Sequence, residues 1–398
     1  MQEGKKNGFL SGVKNVTKNY AMYIALALIF IMFQIWSGGR FLTPRNITNL
    51  VNQTGYIAVL AVAMTLVLII CQIDLSIGFL TGFLGAVAAR LLLLNVPIPL
   101  TILIVILFGA ALGLLQGFII GKIGVPAFVT TLAGEFAFRG LLQLITQDKG
   151  TINVTNEAFK EISQGFLPDL FKINLFGTEF HGLSLIIGAI AVAIVILSGL
   201  RKRNELKKYN LDPGSIGGFI TKMAFFSALI ISLVLLLASF NGISWTVIIV
   251  VAVTAVYHFV LNKTKIGRHI YGMGGNLEAA KLSGVNTKLV LIGVFISMGA
   301  MAGLSGIMIT SRMGCAQPTT GAGFELDAIA ACYIGGVSTS GGVGKVINSV
   351  VGAFVIMSLI NGLNLIGVGI SYQYLIKGII FVIAVALDVR GRGRKALG

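Results

Sequence analysis

Runs of apolar residues close to twenty long follow one another along most of the chain. They lie at roughly 20–37, 51–71, 75–95, 100–121, 125–147, 183–200, 222–240, 243–261, 288–311, 326–337, 346–362 and 370–388. A helix rises 1.5 Å per residue, so a run of that length crosses a hydrocarbon core about 30 Å thick. In lipid every backbone N–H and C=O must be paired within the spanning structure, which leaves helices or closed barrels. A barrel would show short alternating segments instead. Composition agrees, with 56% hydrophobic and 11% charged residues, against about 25% charged in a soluble domain. The fold class is all-α: a polytopic integral membrane protein of ten to twelve transmembrane segments, read as one domain over 1–398. The run at 326–337 is too short to cross alone and predicts a broken or re-entrant helix.

A net charge of +16 raises the question of nucleic acid, but the distribution excludes it. Four basic residues precede the first span (Lys5, Lys6, Lys14 and Lys18), six lie at 201–222, five at 263–288, and Arg390, Arg392, Arg394 and Lys395 close the chain. On a twelve-segment reading 21 basic residues fall on one side, six on the other and three within spans. By the positive-inside rule the richer side is cytoplasmic, which puts both termini and the tail 1–19 inside. The first run is long enough to remain as a span and lacks a small-residue cleavage site, so no cleavable signal peptide is expected. Cys71, Cys315 and Cys332 have no CxxC spacing, and His181, His258 and His269 are scattered. Neither a disulfide framework, a metal site nor a cofactor is expected.

The loop 148–182 falls outside and holds five of the fourteen acids, Asp148, Glu157, Glu161, Asp169 and Glu179. It reads either as a solvated loop or as a docking surface for an external partner. "FGAALGLLQG" (108–117) echoes "MGAMAGLSG" (298–306), a weak internal repeat of the kind found in transporters built from duplicated halves. In the first copy Gly109, Gly113, Gly117 and Gly121 repeat every four residues and present a smooth helix face for close packing. "GGVSTSGGVGK" (335–345) fails as a phosphate loop, because Thr339 and Val346 stand where glycine and Ser or Thr are needed. It reads as a glycine-rich bend between short helices. The chain has no nucleotide site of its own.

Acids inside the membrane are functional candidates. Asp74, in "CQIDLSIG", either borders an aqueous cavity or caps the helix that starts near Leu75. Asp327, in "GFELDAIAA", opens another helix. Asp74, Ser76 and Asp327 are the candidate polar lining of a translocation pathway. Glu135 and Arg139, spaced i,i+4, are expected to pair on one helix face.

One stretch stands apart from the apolar runs. In "GGNLEAAKLSG", within a cytoplasmic loop at 262–288, Asn276 reads as an N-cap, Glu278 sits in the first turn, and Gly284 can end the helix in the left-handed conformation. Ala279 and Ala280 leave a small, flat face. A short, bounded helix at the cytoplasmic mouth suits mechanical coupling to a partner.

With "IDLSIG" (73–78), "GMGGNLEAAKLSGV" (272–285) and "GFELDAIAACYIGGVSTSGGVG" (323–344), this stretch resembles the EAA-type loop of ABC importer permeases. The chain looks like a member of the branched-chain/monosaccharide permease family, most like its xylose and multiple-monosaccharide permeases. That resemblance implies a subunit of the bacterial inner membrane that passes a monosaccharide inward and is not itself an enzyme. It implies a second permease copy, a tandem ABC ATPase on the cytoplasmic side, and an external sugar-binding protein. Gly275, Asn276, Glu278, Ala279, Ala280 and Gly284 would couple to the ATPase. The rival reading is an ion-coupled secondary transporter or channel that uses Asp74 or Asp327 as an ion site.

Overall fold

The computed structural model describes residues 22–147, 150–175 and 177–396. The N-terminal tail with its four lysines, and Asp148 and Lys149, lie outside the described residues. The helices in chain order are α1 (Met22–Trp36), α2 (Pro44–Ile69), α3 (Ile77–Leu93), α4 (Ile98–Phe118), α5 (Ala127–Thr146), α6 (Glu157–Gln164), α7 (Gly182–Lys208) and α8 (Ile216–Ala238). There follow α9 (Trp245–Lys263), α10 (Lys265–Gly275), α11 (Leu277–Leu282), α12 (Thr287–Met313), α13 (Phe324–Ile334), α14 (Val346–Leu365) and α15 (Ile370–Ala396). The strands are short: β1 (Ile152–Asn153) pairs antiparallel with β4 (Cys315–Ala316), and β2 (Lys172–Leu175) with β3 (Thr178–His181). Among the described residues eight helices are long and apolar enough to cross a membrane, and three more are shorter and apolar. The polytopic all-α expectation holds. At 11 residues, α13 is the short piece expected at 326–337.

Two compact units emerge. The first comprises the described residues of Met1–Phe41, Leu50–Gln164 and Thr246–Gly398; the second, those of Leu42–Asn49 and Gly165–Trp245. In the first unit α2 is the central pillar. From Leu50 to Ile69 it is buried at every position but Gln53, as expected of a helix that is apolar all round. Small residues and short polar side chains hold its neighbours close. The Ser305 hydroxyl of α12 donates to Tyr56 O at 2.9 Å, Thr65 meets Ser349 of α14 at 2.7 Å, and the Cys332 thiol of α13 donates to Ala61 O at 3.2 Å. Between apolar helices in lipid, such contacts and tight packing replace a hydrophobic driving force.

The second tight seam joins the two echoed segments. A Cβ on Gly109 of α4 would run into the carbonyl oxygen of Gly299 on α12, and a Cβ on Gly299 into that of Gly109. Gly113 and Gly117 face the backbone of Phe295 and Ile292 in the same way. Gly109 and Gly299 hold equivalent places in the repeat, so its two copies cross at their matching glycine. The spacing-four glycine face is therefore the surface along which α4 passes α12. After α4 one π turn, Ile119–Ile123, leads to Gly124 at φ +90°, and Pro126 precedes α5.

The second unit is an antiparallel hairpin of α7 and α8 with the β2–β3 ribbon. Only 11% of α7's apolar window and 6% of α8's is buried.

The seam generates a test. Gly299→Val should cost at least about 1–3 kcal/mol through overpacking. Gly293→Val, on the same helix where an added Cβ meets nothing within 4 Å, should stay within about 0.5 kcal/mol. Thermal unfolding of the two variants in detergent, side by side, checks this. Equal losses would mean that the close approach at Gly299 is not what holds α4 and α12 together.

Candidate functional site

The break between α2 and α3 builds the first polar cluster. Asp74 Oδ1 accepts from the Ser76 backbone N–H at 2.9 Å and from the Ser76 hydroxyl at 2.7 Å. Gln116 of α4 in turn donates to Ser76 Oγ at 2.8 Å, and the Thr131 hydroxyl of α5 donates to Ile73 O at 3.3 Å. Asp74 does not take the N-cap expected near Leu75: its carboxylate closes a turn onto the Ser76 N–H, and Ser76 holds the N-cap position before α3 without a side-chain cap bond of its own. Gly134 lets α5 pass, since a Cβ there would come within 2.6 Å of Gln116 Nε2. Asp74 and Ser76 are fully buried, so neither borders an open cavity in this conformation.

A second helix start meets the first. Gly78 near the start of α3 is pressed against Glu325 Oε2 and Gly321 O, where a Cβ would have no room. Glu325 and Asp327 both sit in the first turn of α13, where the positive end of the helix dipole favours acids. Asp327 pairs with Lys377 of α15, Nζ to Oδ2, at 2.8 Å, and the pair borders a cavity of about 140 Å³. Glu325 is 7% exposed and its Oε2 has no hydrogen-bond partner among the described residues. Glu325, Gln116 and the Lys377 partner were not singled out from the sequence. Glu325 stands two residues before Asp327 in the same quoted motif and was the one legible among them. The expected Glu135–Arg139 pair does not form. Arg139 lies over the Phe79 ring of α3 instead, 5.5 Å from its centroid, because that apolar neighbour offers a cation a face within reach.

The stretch at 262–288 is an elbow of two helices rather than one. Thr264 caps α10, accepting from Gly267 N at 3.3 Å, so the "NKTKIGRH" flank is itself helical. Asn276 then ends α10 and caps α11, its Oδ1 accepting from Ala279 N at 2.9 Å. Lys281 pairs with Glu278 at 2.9 Å, and Gly284 leaves at φ +80°. Every residue of α11 is exposed but one: Ala280 is 7% exposed and faces the protein, while Leu282 is 89% exposed. Ala279 and Leu282, with Glu278, form the outward face.

Three of the motif stretches converge beneath the elbow. Gly342 N donates to Ile69 O, the last residue of α2, at 2.9 Å. A Cβ on Gly274 of α10 would strike that same Ile69 oxygen and Gly342 N. The Cys71 thiol donates to Ser340 O at 3.1 Å and lies 3.6 Å from Gly274 O, while Tyr271 of α10 donates to Gly344 O at 2.7 Å. Gly341 and Gly342 adopt φ of +75° and +69°, which only a residue without Cβ takes at low cost. The stretch 335–345 is indeed a bend, though α14 after it is long.

At the far end of α12 the contacts are different. Ser311 Oγ accepts from Ser163 N at 3.0 Å, and Gln164 of α6 donates to Arg312 O at 2.9 Å, so α6 lies across that end beside the β1–β4 pair. Glu157 is neutralised by Lys160 at 2.8 Å. In the second unit Lys172 pairs with Glu179 at 2.9 Å, a hydrogen bond that raises the lysine's pKa, and Asp169 lies 3.5 Å from His181. Of the four described acids in 148–182, Glu157, Glu179 and Asp169 thus each have a cationic or histidine neighbour within 3.5 Å.

The family model described as "Branched-chain amino acid transport system / permease component" matches residues 46–385. The chain is 36% identical to the xylose transport system permease protein of Haemophilus influenzae, over 94% of this chain and 96% of the relative. To the xylose transport system permease protein of Escherichia coli K12 it is 36% identical, over 96% and 94%. To the ribose import permease protein of the same strain it is 31% identical, over 95% and 97%. No solved structure matches.

The buried ion pair gives a sharp expectation. Lys377→Met leaves the Asp327 carboxylate buried and unpaired, at a cost of about 3–5 kcal/mol. Adding Asp327→Asn to that variant should recover more than half of the loss. Detergent stability of the single and double variants measures both. A double variant as unstable as the single would show that the pair is not the interaction being lost.

Proposed function

The chain belongs to the branched-chain amino acid transport system / permease component family, and on that premise we propose that it is the membrane-spanning permease subunit of an ATP-driven sugar importer. The cargo is a monosaccharide, in keeping with the xylose and ribose named for its relatives. The chain acts as a single permease domain in the bacterial cytoplasmic membrane, with both termini inside. Two copies form the pathway, an external sugar-binding protein delivers the cargo, and a cytoplasmic ATPase with tandem nucleotide sites hydrolyses the ATP.

The observation that carries this reading is the exposed α11 on an elbow whose other helix, α10, meets the break after α2 and the 335–345 bend at backbone distance through Gly274. Closure of the ATPase around ATP pushes on Glu278, Ala279 and Leu282. The elbow cannot move alone, because Gly274 is wedged between Ile69 O and Gly342. The displacement therefore reaches Ile69 and the Asp74–Ser76 turn on one side and the α13–α14 bend on the other. Opening there uncovers Asp74, Ser76 and Asp327 as polar lining for a hydroxylated cargo. Outside, the 148–182 loop contributes to docking the binding protein. The rival reading is an ion-coupled carrier; of its two candidate ion sites, the Asp74 carboxylate accepts from Ser76 and Asp327 is paired with Lys377.

Reconstitution tests this. Sugar uptake should require the ATPase and ATP, and the chain alone should carry no gradient-driven sugar flux. Leu282→Asp, on the outward face, should leave the spans folded and cut ATPase recruitment and sugar-stimulated hydrolysis at least about tenfold, a loss equivalent to about 1.4 kcal/mol. Gly284→Val should act similarly by misdirecting the exit from α11, where a left-handed residue with a Cβ costs about 1–2 kcal/mol. Ala280 faces inward, so a bulky residue there would unseat the helix rather than block its partner. Full assembly and hydrolysis in both variants would remove α11 as the coupling element.

A further inference from the structure

The α7–α8 hairpin carries a feature that sugar transport does not require. Its apolar side chains, among them Ile190, Ile194, Leu197 and Leu229, are exposed at 50–60%, so in a membrane the hairpin stands against lipid. At 27 residues α7 is about 40 Å long, and its last turns extend beyond a hydrocarbon core of about 30 Å. The chain from 199 to 223 then carries six basic residues, Arg201, Lys202, Arg203, Lys207, Lys208 and Lys222, against two acids, Glu205 and Asp212. Tyr209, Leu211 and Ile216 are 56–71% exposed at the same level, a mixture of charge and apolar surface that fits the interface between lipid tails and water.

A cavity of about 340 Å³ opens there, between the end of α7 and the start of α8, with Lys202, Arg203, Ser215, Gly218, Phe219 and Lys222 in its wall. Arg203 builds that wall. Its guanidinium donates to Pro213 O at 3.2 Å and Gly214 O at 3.1 Å and lies 5.3 Å from the centre of the Phe219 ring. Lys202 and Lys222 have no hydrogen-bond or ion-pair partner among the described residues. Ser215 caps α8 by accepting from Gly218 N at 3.1 Å, which leaves the N–H groups of Ile216 and Gly217 at the positive end of a 23-residue helix. Two unpaired ammonium groups, a third fixed cation and a helix start thus surround one pocket at membrane-surface depth.

We propose that this pocket binds the phosphate of an anionic phospholipid headgroup, with Lys202 and Lys222 as its charge partners. Clusters of cations beside a membrane-embedded helix attract anionic lipids. Here the cavity gives the cluster a defined seat, and the hairpin's exposed flank offers a surface for the acyl chains. The proposal needs only that the chain is a membrane protein, so it stands or falls independently of the cargo and the ATPase.

Native mass spectrometry of the purified full chain tests it, using phosphatidylglycerol and phosphatidylcholine with identical acyl chains. The wild-type chain should retain phosphatidylglycerol in preference by roughly tenfold or more. Lys202→Gln with Lys222→Gln should abolish that preference, whereas Arg201→Gln with Lys207→Gln, which removes the same charge away from the cavity, should preserve it. Should the first pair fail to fold, Lys222→Glu alone carries the same expectation. Excess inorganic phosphate should not displace the lipid. Equal retention of the two lipids, equal loss in both double variants, or displacement by free phosphate would each overturn the proposal.

Discussion

The structure turns on one place where three chain segments pass at backbone distance, with the small Cys71 thiol tucked among them. Gly274, Gly341 and Gly342 bring the end of α10, the end of α2 and the bend before α14 to backbone distance, and Gly342 N bonds directly to Ile69 O. Packed interiors do not deform continuously, so elements at such contact shift together or not at all. An elbow made of α10 and α11 would otherwise be an appendage on a loop. Fixed there, it would serve the proposed coupling as a lever whose far arms are the turn before α3 and the start of α14.

What lies above that contact is built to move as packed pieces. The central α2 is surrounded by partners that touch it through hydroxyls, a thiol and glycines, all short groups that leave the helices close. The α4–α12 crossing at Gly109 and Gly299 joins the two echoed copies at their matching residue. Inside this frame two helix starts, α3 and α13, meet at Gly78 and Glu325, and the intramembrane acids cluster around them. Asp74 accepts from Ser76, Asp327 pairs with Lys377, and Glu325 Oε2 has no hydrogen-bond partner among the described residues.

Much of this was legible beforehand, for a physical reason. The bilayer imposes a length and a composition on each crossing, so the segment bounds followed from apolar runs to within a few residues at most ends. The local cap chemistry of Asn276 and Gly284 depends only on neighbours in sequence and also came through. Long-range partners did not. The spacing of Glu135 and Arg139 predicts a pair on an isolated helix, but Phe79 on another helix offered Arg139 a better face. Lys377 read simply as a charge in a span, because its partner lies fifty residues away. The helix α10 was hidden by basic residues that lower apolar periodicity. A count of the acids in 148–182 likewise does not show that Glu157 pairs with Lys160 and Glu179 with Lys172.

The central claim is that displacement of the elbow is felt at both far arms through the Ile69–Gly342 contact. Hydrogen–deuterium exchange on the assembled transporter, with and without a non-hydrolysable ATP analogue, reads it directly. Nucleotide should change exchange at 69–76 and 335–345 together with 265–284, and the Gly342 amide should report the change. Protection or exposure confined to 265–284, with 69–76 and 335–345 unaltered, would mean that the elbow moves on its own and the contact transmits nothing.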